Sequence, residues 1–345
     1  MFEAILTICL LTDGGACRNA LLPGYEATTR EACETALAAS PPASLPEGQA
    51  PSGPECKPVG ASLDFEEVAP GIFVHRGQIA EPDRDNRGDV SNIGFIIGRD
   101  SVAIVDTGSA RWVGEAIWRA IRARTDLPVS HVILTHMHPD HVFGASVFAG
   151  TGARIVGHAA LTRALADRQE NYRESLATLI GPSELLGTAA VAPDIIVQDS
   201  MQIDLGDRLL ELRSWPIGHT GTDLTVLDQK TAMLFTGDLI FERHLPALDG
   251  SLGGWQAVLT ELAGLPATRI VPGHGGPVLD WPDGSAAVQR YLKILENDTR
   301  AAIDAGRRLG DAVSDIAASE APRWQLFEAF NPRNATVAFT ELEWE

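Results

Sequence analysis

The sequence predicts an α+β fold in which two groups of short strands alternate with amphipathic helices. Three β-type runs separated by turns, GIFVHRG, NIGFIIG and SVAIVDTG, form the first group. Five further strand-like runs, from IIVQ to TAMLFTGD, predict a second sheet. Histidine or aspartate residues follow several of these runs. The pattern therefore predicts two sheets that bring polar side chains to a common edge.

The first 60 residues are predicted to form a small separate segment. FEAILTICL indicates a strand, and TTREACETALAA indicates a short helix capped by threonine. All four cysteines of the chain lie in this segment: Cys9, Cys17, Cys33 and Cys56. Such a cluster indicates a disulfide framework, with four reduced cysteines as the alternative, while a zinc site is disfavoured because no Cys-x-x-Cys pair occurs. We favour Cys17 with Cys33 and Cys9 with Cys56, because the first pair closes a short strand-to-helix loop.

Helices are predicted between and after the two groups of strands. WVGEAIWRAIRART places its apolar residues on one stripe, and a long amphipathic helix follows the run ARIVGH. WQAVLTELAGL precedes the last strand, and AAVQRYLKILENDTRAAIDAGRRL is a charged amphipathic helix expected on the outside. The tail is rich in aromatic residues, which indicates a segment docked on the body or on a partner subunit.

The charge of the chain disfavours polyanionic partners. Its 46 acidic and 27 basic residues give a net charge of -19, which repels nucleic acid and anionic lipid surfaces. No run of residues approaches the ~18 to 20 apolar residues that span a bilayer. We therefore expect a small-molecule substrate, with no nucleic acid and no membrane as partner.

The stretch ILTHMHPDH concentrates metal-ligand side chains where a strand passes into a helix. His136 and His138 are two residues apart, so on an extended chain they point the same way. Asp140 and His141 follow at the helix start, where free backbone N–H groups favour a carboxylate. Imidazoles with one carboxylate and no thiolate suit Zn²⁺ best, with iron or manganese as alternatives.

Three further candidate ligands lie downstream. They are His219 in PIGHTGTD, Asp238 in MLFTGDLIF and His274 in IVPGHGGP. Each follows a strand-like run and lies next to a glycine that permits a tight turn. Together with the first stretch, they predict seven ligands in one site.

The order HMHPDH, GHT, TGD and GHG resembles the metallo-β-lactamase superfamily. This resemblance implies a four-layer αβ/βα sandwich over residues 61–310, preceded by the segment 1–60 and followed by a docked tail, 311–345. It also implies that His136, His138 and His219 bind a first metal ion, that Asp140, His141 and His274 bind a second, and that Asp238 bridges the two.

The chemistry that the resemblance implies is hydrolysis with two zinc ions per chain. A water shared by two divalent ions has its pKa lowered toward about 7, which gives a hydroxide that attacks an ester, thioester, lactone or amide. Asp140 and Asp238 are the candidate catalytic residues. Antibiotic-hydrolysing members usually carry Cys or Ser where this chain has Asp238, so the sequence resembles the thioesterase and lactonase branches more closely, with weak β-lactam turnover expected at most.

A closer resemblance involves ERHLPALDGSLGGW, the ending FNPRNATVAFTELEWE and the cysteine-bearing leader. These stretches resemble the quinoprotein-associated zinc metallohydrolases of bacteria, which implies a quinoprotein dehydrogenase system as partner. AILTICLL lacks the basic flank and cleavage site of a signal peptide. The cysteines and the resemblance together predict a periplasmic protein whose mature form starts at Met1; the cytoplasm is the alternative.

Other residues are candidates for supporting roles. Asp106 in SVAIVDTG is predicted either to hold the metal loop through hydrogen bonds or to cap a turn. The loop QIAEPDRDNRGDVS is predicted to be a plain solvated hairpin loop, with a mobile loop at the mouth of the site as the alternative. Arg243 and His244 are candidate substrate contacts or members of a solvated loop.

Two other classes of function remain open. Related folds bind one iron with part of this ligand set, which allows a sulfur dioxygenase, although seven filled positions favour two metals. A metal-dependent, non-catalytic protein that binds or matures a quinone cofactor or a dehydrogenase is the other alternative.

Overall fold

The computed structural model describes residues 1–10, 15–42, 45–46, 50–276 and 278–344. Its first part is a three-stranded antiparallel sheet with the strand order β2-β1-β3. The elements are β1 (Phe2–Cys9), β2 (Cys17–Ala27), α1 (Arg30–Ala39) and β3 (Glu55–Pro58). Thr29 caps α1 by accepting a hydrogen bond from the backbone N–H of Ala32, as predicted.

The disulfide pairing differs from the predicted one. Cys9 is bonded to Cys17, and Cys33 is bonded to Cys56. The prediction was wrong because the sequence analysis missed β2. This strand begins at Cys17 and pairs antiparallel with β1, so that Cys17 lies directly opposite Cys9 with a Cα–Cα distance of 4.0 Å. Cys33, on the buried face of α1, then meets Cys56 on β3.

A seven-stranded sheet follows, with the order β10-β9-β8-β7-β6-β5-β4. Its strands are β4 (Glu66–Ala69), β5 (Ile72–His75), β6 (Ile93–Ile97), β7 (Val102–Val105), β8 (Val129–Ile133), β9 (Arg154–His158) and β10 (Ile195–Val197). The strands from β4 to β7 pair antiparallel and those from β7 to β10 pair parallel. The connecting helices are α2 (Arg111–Arg122), α3 (Pro139–Val142) and α4 (Leu161–Ile180).

The assignment of IIVQ to the second sheet was wrong. This run forms β10, which pairs parallel with β9 because α4 acts as the crossover that returns the chain to the same sheet. The second sheet has six strands in sequential order: β11 (Ser200–Asp204), β12 (Leu209–Ser214), β13 (Leu224–Asp228), β14 (Met233–Phe241), β15 (Arg269–His274) and β16 (Leu279–Asp280). Only β14 and β15 pair parallel, joined through α5 (Leu252–Leu262).

The two sheets pack face to face and carry helices on their outer faces. Aliphatic side chains from both sheets form the central core, and Phe235 packs so closely on Gly94 that a Cβ atom there would lie 2.3 Å from the ring. α2 and α4 cover the first sheet. The second sheet is covered by α5 together with α6 (Ala286–Asp304) and α8 (Phe327–Leu342), and α7 (Leu309–Ala312) lies between the last two. The predicted four-layer sandwich is confirmed.

The C-terminal segment packs on the body through α8. Phe339 and Leu342 are buried against the cluster that contains α5 and α6, while Trp344 remains exposed. The division of the chain at residues 60 and 310 stays a prediction. Among the residues that the structure describes, no helix combines the length and the apolar character needed to cross a membrane.

Candidate metal centre

The seven predicted ligands meet at one edge of the sandwich. His136 and His138 lie in the loop after β8, Asp140 and His141 lie in α3, and His219 lies between β12 and β13. Asp238 belongs to β14 and His274 ends β15. Both sheets therefore supply the site, mostly through loops and strand ends, whereas Asp238 lies within β14 and not after it as the sequence pattern predicts.

Two groups of side chains have ligand atoms close enough to hold a metal ion. Within each group these atoms lie within 4.8 Å of one another. The first group is His136, His138, His219 and Asp238, and the second is Asp140, His141 and His274. The division matches the two ligand sets that the sequence resemblance implies.

The carboxylate of Asp238 lies between the two groups. Its Oδ2 is 3.5 Å from His219 Nε2 and 3.3 Å from His274 Nε2, while its Oδ1 is 3.2 Å from His141 Nε2. No side chain would fit at Gly273, because a Cβ atom there would stand 1.9 Å from Asp238 Oδ1. This glycine is therefore required for space beside the carboxylate, whereas Gly275, with φ +104°, provides the turn.

Each imidazole of the first group uses one nitrogen for an outward hydrogen bond. His219 Nδ1 donates to the Ala247 carbonyl at 2.6 Å, and His138 Nε2 donates to Asp249 Oδ2 at 3.2 Å. His136 Nδ1 lies 3.0 Å from Thr135 Oγ1. The nitrogens that remain converge, since His138 Nδ1 is 3.1 Å from Nε2 of both other histidines. Outward bonds of this kind fix the tautomer and the ring orientation of a metal ligand.

The second group is anchored in the same way. His274 Nδ1 donates to the Val90 carbonyl at 2.9 Å, and His141 Nδ1 donates to Asp106 Oδ2 at 2.8 Å. Asp106 also accepts hydrogen bonds from the backbone N–H and the hydroxyl of Thr135, each at 2.8 Å. The prediction that Asp106 holds the metal loop is therefore confirmed: one carboxylate orients a ligand of the second group and the residue before His136.

The pKa values of the buried histidines depend on their distance from the carboxylates of the site. Burial lowers the pKa of His219 to about 3 and holds the pKa of His136 well below its usual range. Burial acts in the same direction on His274, but the carboxylates of Asp238 and Asp140 outweigh it and raise its pKa to about 9. In the metal-free protein, protonated imidazoles thus balance the carboxylates, and a metal ion would take over that role.

The donor set fits divalent metal ions. His141 Nε2 and Asp238 Oδ1 are buried and form no hydrogen bond with any residue that the structure describes. Buried polar atoms without partners are rare and call for an explanation such as an ion. Five imidazoles and two carboxylates, without a thiolate, suit zinc and also allow iron or manganese.

A cavity of about 470 Å³ opens over the two groups. The loop at residues 78–91 contributes Ala80, Glu81, Pro82 and Val90 to its lining, so this loop lies at the mouth and is not the plain solvated loop that the sequence favoured. His244 lines the cavity, whereas Arg243 does not. Burial lowers the pKa of His244 to about 4, and its Nδ1 donates to the Leu245 carbonyl at 2.7 Å. Its Nε2 is then free to accept a hydrogen bond.

Several cavity residues were missed by the sequence analysis. Asp249 joins His138 to Arg168 of α4, whose guanidinium lies 2.5 Å from Asp249 Oδ2. α8 contributes Phe330 and Arg333 to the cavity wall. The helical spacing of the tail residues shows that they share a face. Nothing in the sequence shows that this face lies beside a metal site 55 or more residues upstream.

Comparisons with known proteins show which family the sequence matches. The model of the metallo-beta-lactamase superfamily matches residues 86–274. Acyl-coenzyme A thioesterase MBLAC2 of Homo sapiens is 29% identical over 188 residues, which is 49% of this chain and 62% of the relative. The uncharacterized protein Rv2581c of Mycobacterium tuberculosis is 28% identical over 217 residues, covering 59% of this chain and 90% of that protein. The match to the thioesterase thus spans less than two thirds of its length.

Solved structures share the same fold. A metallo-beta-lactamase from Pontibacter korlensis superposes with a TM-score of 0.55 at 19% identity, over 67% of this chain and 99% of that chain. The stereoselective inverting sec-alkylsulfatase Pisa1 from Pseudomonas sp. gives 0.61 at 17% identity, over 81% and 50%. At these identities the likeness concerns the fold.

Proposed function

The chain belongs to the metallo-β-lactamase superfamily, a family of hydrolases, and we propose that it is a dizinc hydrolase of a small ester, thioester, lactone or amide. The observation that carries this proposal is the arrangement of seven ligand side chains in two groups with Asp238 between them. A site for one metal ion would need only one of these two groups of ligand side chains.

Each ligand has one proposed role. His136, His138 and His219 would hold one ion, Asp140, His141 and His274 would hold the other, and Asp238 would be shared between them. Two bound zinc ions supply an activated water and polarise the bond to be cleaved. Asp106, Thr135 and the Ala247 carbonyl keep the ligand rings in place through the hydrogen bonds described above.

The thioester is the first substrate class to test. Asp238 occupies the position where antibiotic-hydrolysing relatives usually carry Cys or Ser, and the human relative is an acyl-coenzyme A thioesterase. The cavity also supplies apolar surface for an acyl group, from Phe241 and Phe330 among others. Lactones and strained amides are substrates that the same activated water also attacks.

Elemental analysis beside a panel of thioester, lactone and β-lactam substrates tests this function. We expect two zinc ions per chain and turnover of one acyl class. One iron per chain with oxygen uptake and no hydrolysis would replace the proposal by a sulfur dioxygenase. Full metal loading without any turnover would instead favour a binding or maturation protein.

We also propose that the chain acts in the periplasm beside a quinoprotein dehydrogenase system. Two of the three stretches that carry this resemblance, ERHLPALDGSLGGW and FNPRNATVAFTELEWE, are joined by hydrogen bonds. Asn334 accepts a hydrogen bond from Leu248 N and donates to the Pro246 carbonyl, and Glu341 accepts from Leu252 N. The two disulfides support an oxidising compartment.

Intact-mass analysis tests this location. The chain isolated from bacterial periplasm must gain the mass of two protons per disulfide on reduction, and no gain would contradict the location.

A further inference from the structure

We propose that Arg333 on α8 forms an anion-binding subsite of the cavity, so that the substrate carries an apolar group and an anionic group such as a carboxylate, sulfonate or phosphate. This inference rests on the proposed hydrolase function and narrows its substrate class. It concerns the part of the cavity wall that α8 forms.

One face of α8 forms part of the cavity wall. Phe330, Arg333, Asn334 and Val337 all line the cavity, at helical spacing. The ring of Phe330 lies 4.9 Å from the ring of His244, which lies 4.7 Å from the ring of the ligand His274. The imidazole of His244 therefore lies between Phe330 and the ligand His274. Arg333, three residues further on, lies on the same face as Phe330, within reach of a bound molecule.

α8 is fixed firmly enough to position these side chains. Asn334 is buried, and its amide donates to the Pro246 carbonyl at 2.6 Å and to the Tyr291 hydroxyl at 2.8 Å. Near the end of the helix, Glu341 accepts hydrogen bonds from Ser251 Oγ and Gly253 N, each at 3.0 Å. These contacts fix the helix backbone that carries the subsite.

Arg333 differs from the other arginine of the cavity in having no acidic partner in the part of the chain that the structure describes. Arg168 is paired with Asp249 at 2.5 Å. Among the residues that the structure describes, none forms a hydrogen bond or an ion pair with the Arg333 side chain. In a chain of net charge -19, an unpaired guanidinium on the wall of a metal cavity is a local attraction for anions.

The remaining charges of the cavity orient such a substrate. Asp140 and Asp238 are neutralised by the metal ions of the proposed function, and Asp249 is neutralised by Arg168. Glu81, on the loop at residues 78–91, is the remaining carboxylate of the wall. An anionic group is therefore repelled from the Glu81 side and attracted to α8. Leu176 and Leu179 of α4 provide apolar surface for the rest of the molecule.

A matched pair of thioesters tests the subsite in the metal-loaded protein. Octanoyl-N-acetylcysteine carries a carboxylate that octanoyl-N-acetylcysteamine lacks. For Arg333→Gln we expect kcat/KM for the anionic thioester to fall about 10- to 100-fold, mainly through KM, which is the size of one charge-assisted hydrogen-bonded contact. The neutral thioester should be unaffected, and Arg333→Lys should restore part of the loss. Arg308→Gln, an exposed site outside the cavity, makes the same change in net charge and serves as control.

Binding of octane-1-sulfonate, measured by calorimetry, gives a readout that does not depend on turnover. We expect wild type and Arg308→Gln to bind it alike and Arg333→Gln to bind it at least about 10-fold more weakly. Equal binding by wild type and Arg333→Gln, or equal losses for both thioesters, would overturn the subsite. If no substrate is hydrolysed but Arg333→Gln still loses sulfonate binding, the hydrolase proposal fails and the subsite stands.

Discussion

Two clusters of buried charge, one around Glu115 and one around Asp238, are satisfied in different ways. In the first, Glu115 of α2 receives hydrogen bonds from Arg111 Nε and Leu21 N, each at 3.1 Å, and pairs with Arg18 of the N-terminal sheet. Arg111 in turn donates to the Leu21 carbonyl at 2.9 Å. In the second, Asp238 lies among imidazoles and keeps a buried oxygen without a hydrogen bond.

The difference separates a structural cluster from a binding site. Arginine carries a permanent charge and a rigid set of donors, so a carboxylate paired with it is satisfied within the folded chain. Imidazole balances a carboxylate only when it is protonated, and its inward nitrogen is also a metal ligand. The Glu115 cluster therefore holds the N-terminal sheet on the body, whereas the Asp238 cluster is complete only with a cation.

Asp238→Asn should give the largest effect. The variant keeps the shape of the side chain but removes the charge that lies between the two ligand groups. We expect it to lose metal and to lower kcat/KM about 1,000-fold or more, because loss of an outer partner of a ligand alone costs about 10- to 100-fold. Elemental analysis and steady-state kinetics measure both quantities. Full metal content with wild-type turnover would show that Asp238 is not a ligand.

Glu115→Ala should affect stability and leave the metal site intact. It leaves the buried guanidinium of Arg111 without its partner, and breaking a buried pair in this way costs about 3–5 kcal/mol. We expect the free energy of unfolding, measured by urea denaturation, to fall by that amount, with unchanged metal content per folded chain. Loss of metal without loss of stability would contradict the distinction between the two clusters.

The sequence predicted the site more fully than its surroundings. His136, Asp238 and the other candidate ligands stand in short motifs, so local spacing and residue chemistry were enough to propose them, and the structure brings them together. Asp249 and Arg333 were not identified, because their roles depend on contacts across more than 50 residues of chain. The error at Cys9 and Cys17 had a similar origin: their pairing follows from the register of a strand whose polar start, CRNA, gave no β-type signal.

Removing the Cys33–Cys56 disulfide should have a smaller effect than removing Glu115. The bond closes a loop with a sequence separation of 23 within the N-terminal sheet. In the chain-entropy model, such a loop contributes about 3 kcal/mol. We expect urea denaturation of the Cys33→Ser/Cys56→Ser double variant to show this loss, with unchanged metal content. Unchanged stability would mean that the Glu115 cluster alone holds the sheet in place.

Asp249 combines features of both clusters and gives the smallest predicted effect. Its carboxylate is paired with an arginine, as Glu115 is, and it also accepts the outward hydrogen bond of a ligand, His138. Burial by itself would raise the pKa of Asp249, but the hydrogen bond from His138 and the charge of Arg168 hold it below its usual value. The side chain thus remains a carboxylate in front of the imidazole.

If Asp249 acts mainly on the ligand, Asp249→Asn should weaken zinc affinity by about 10- to 100-fold, because the amide holds His138 less strongly. Competition with a chromophoric chelator measures this affinity, and urea denaturation of the metal-free protein measures stability, which should change little. Glu81→Gln, in the same cavity without a contact to a ligand ring, is the matched control. If zinc affinity is unchanged and the metal-free protein is less stable, Asp249 stabilises the fold, as Glu115 does, and does not act on the ligand.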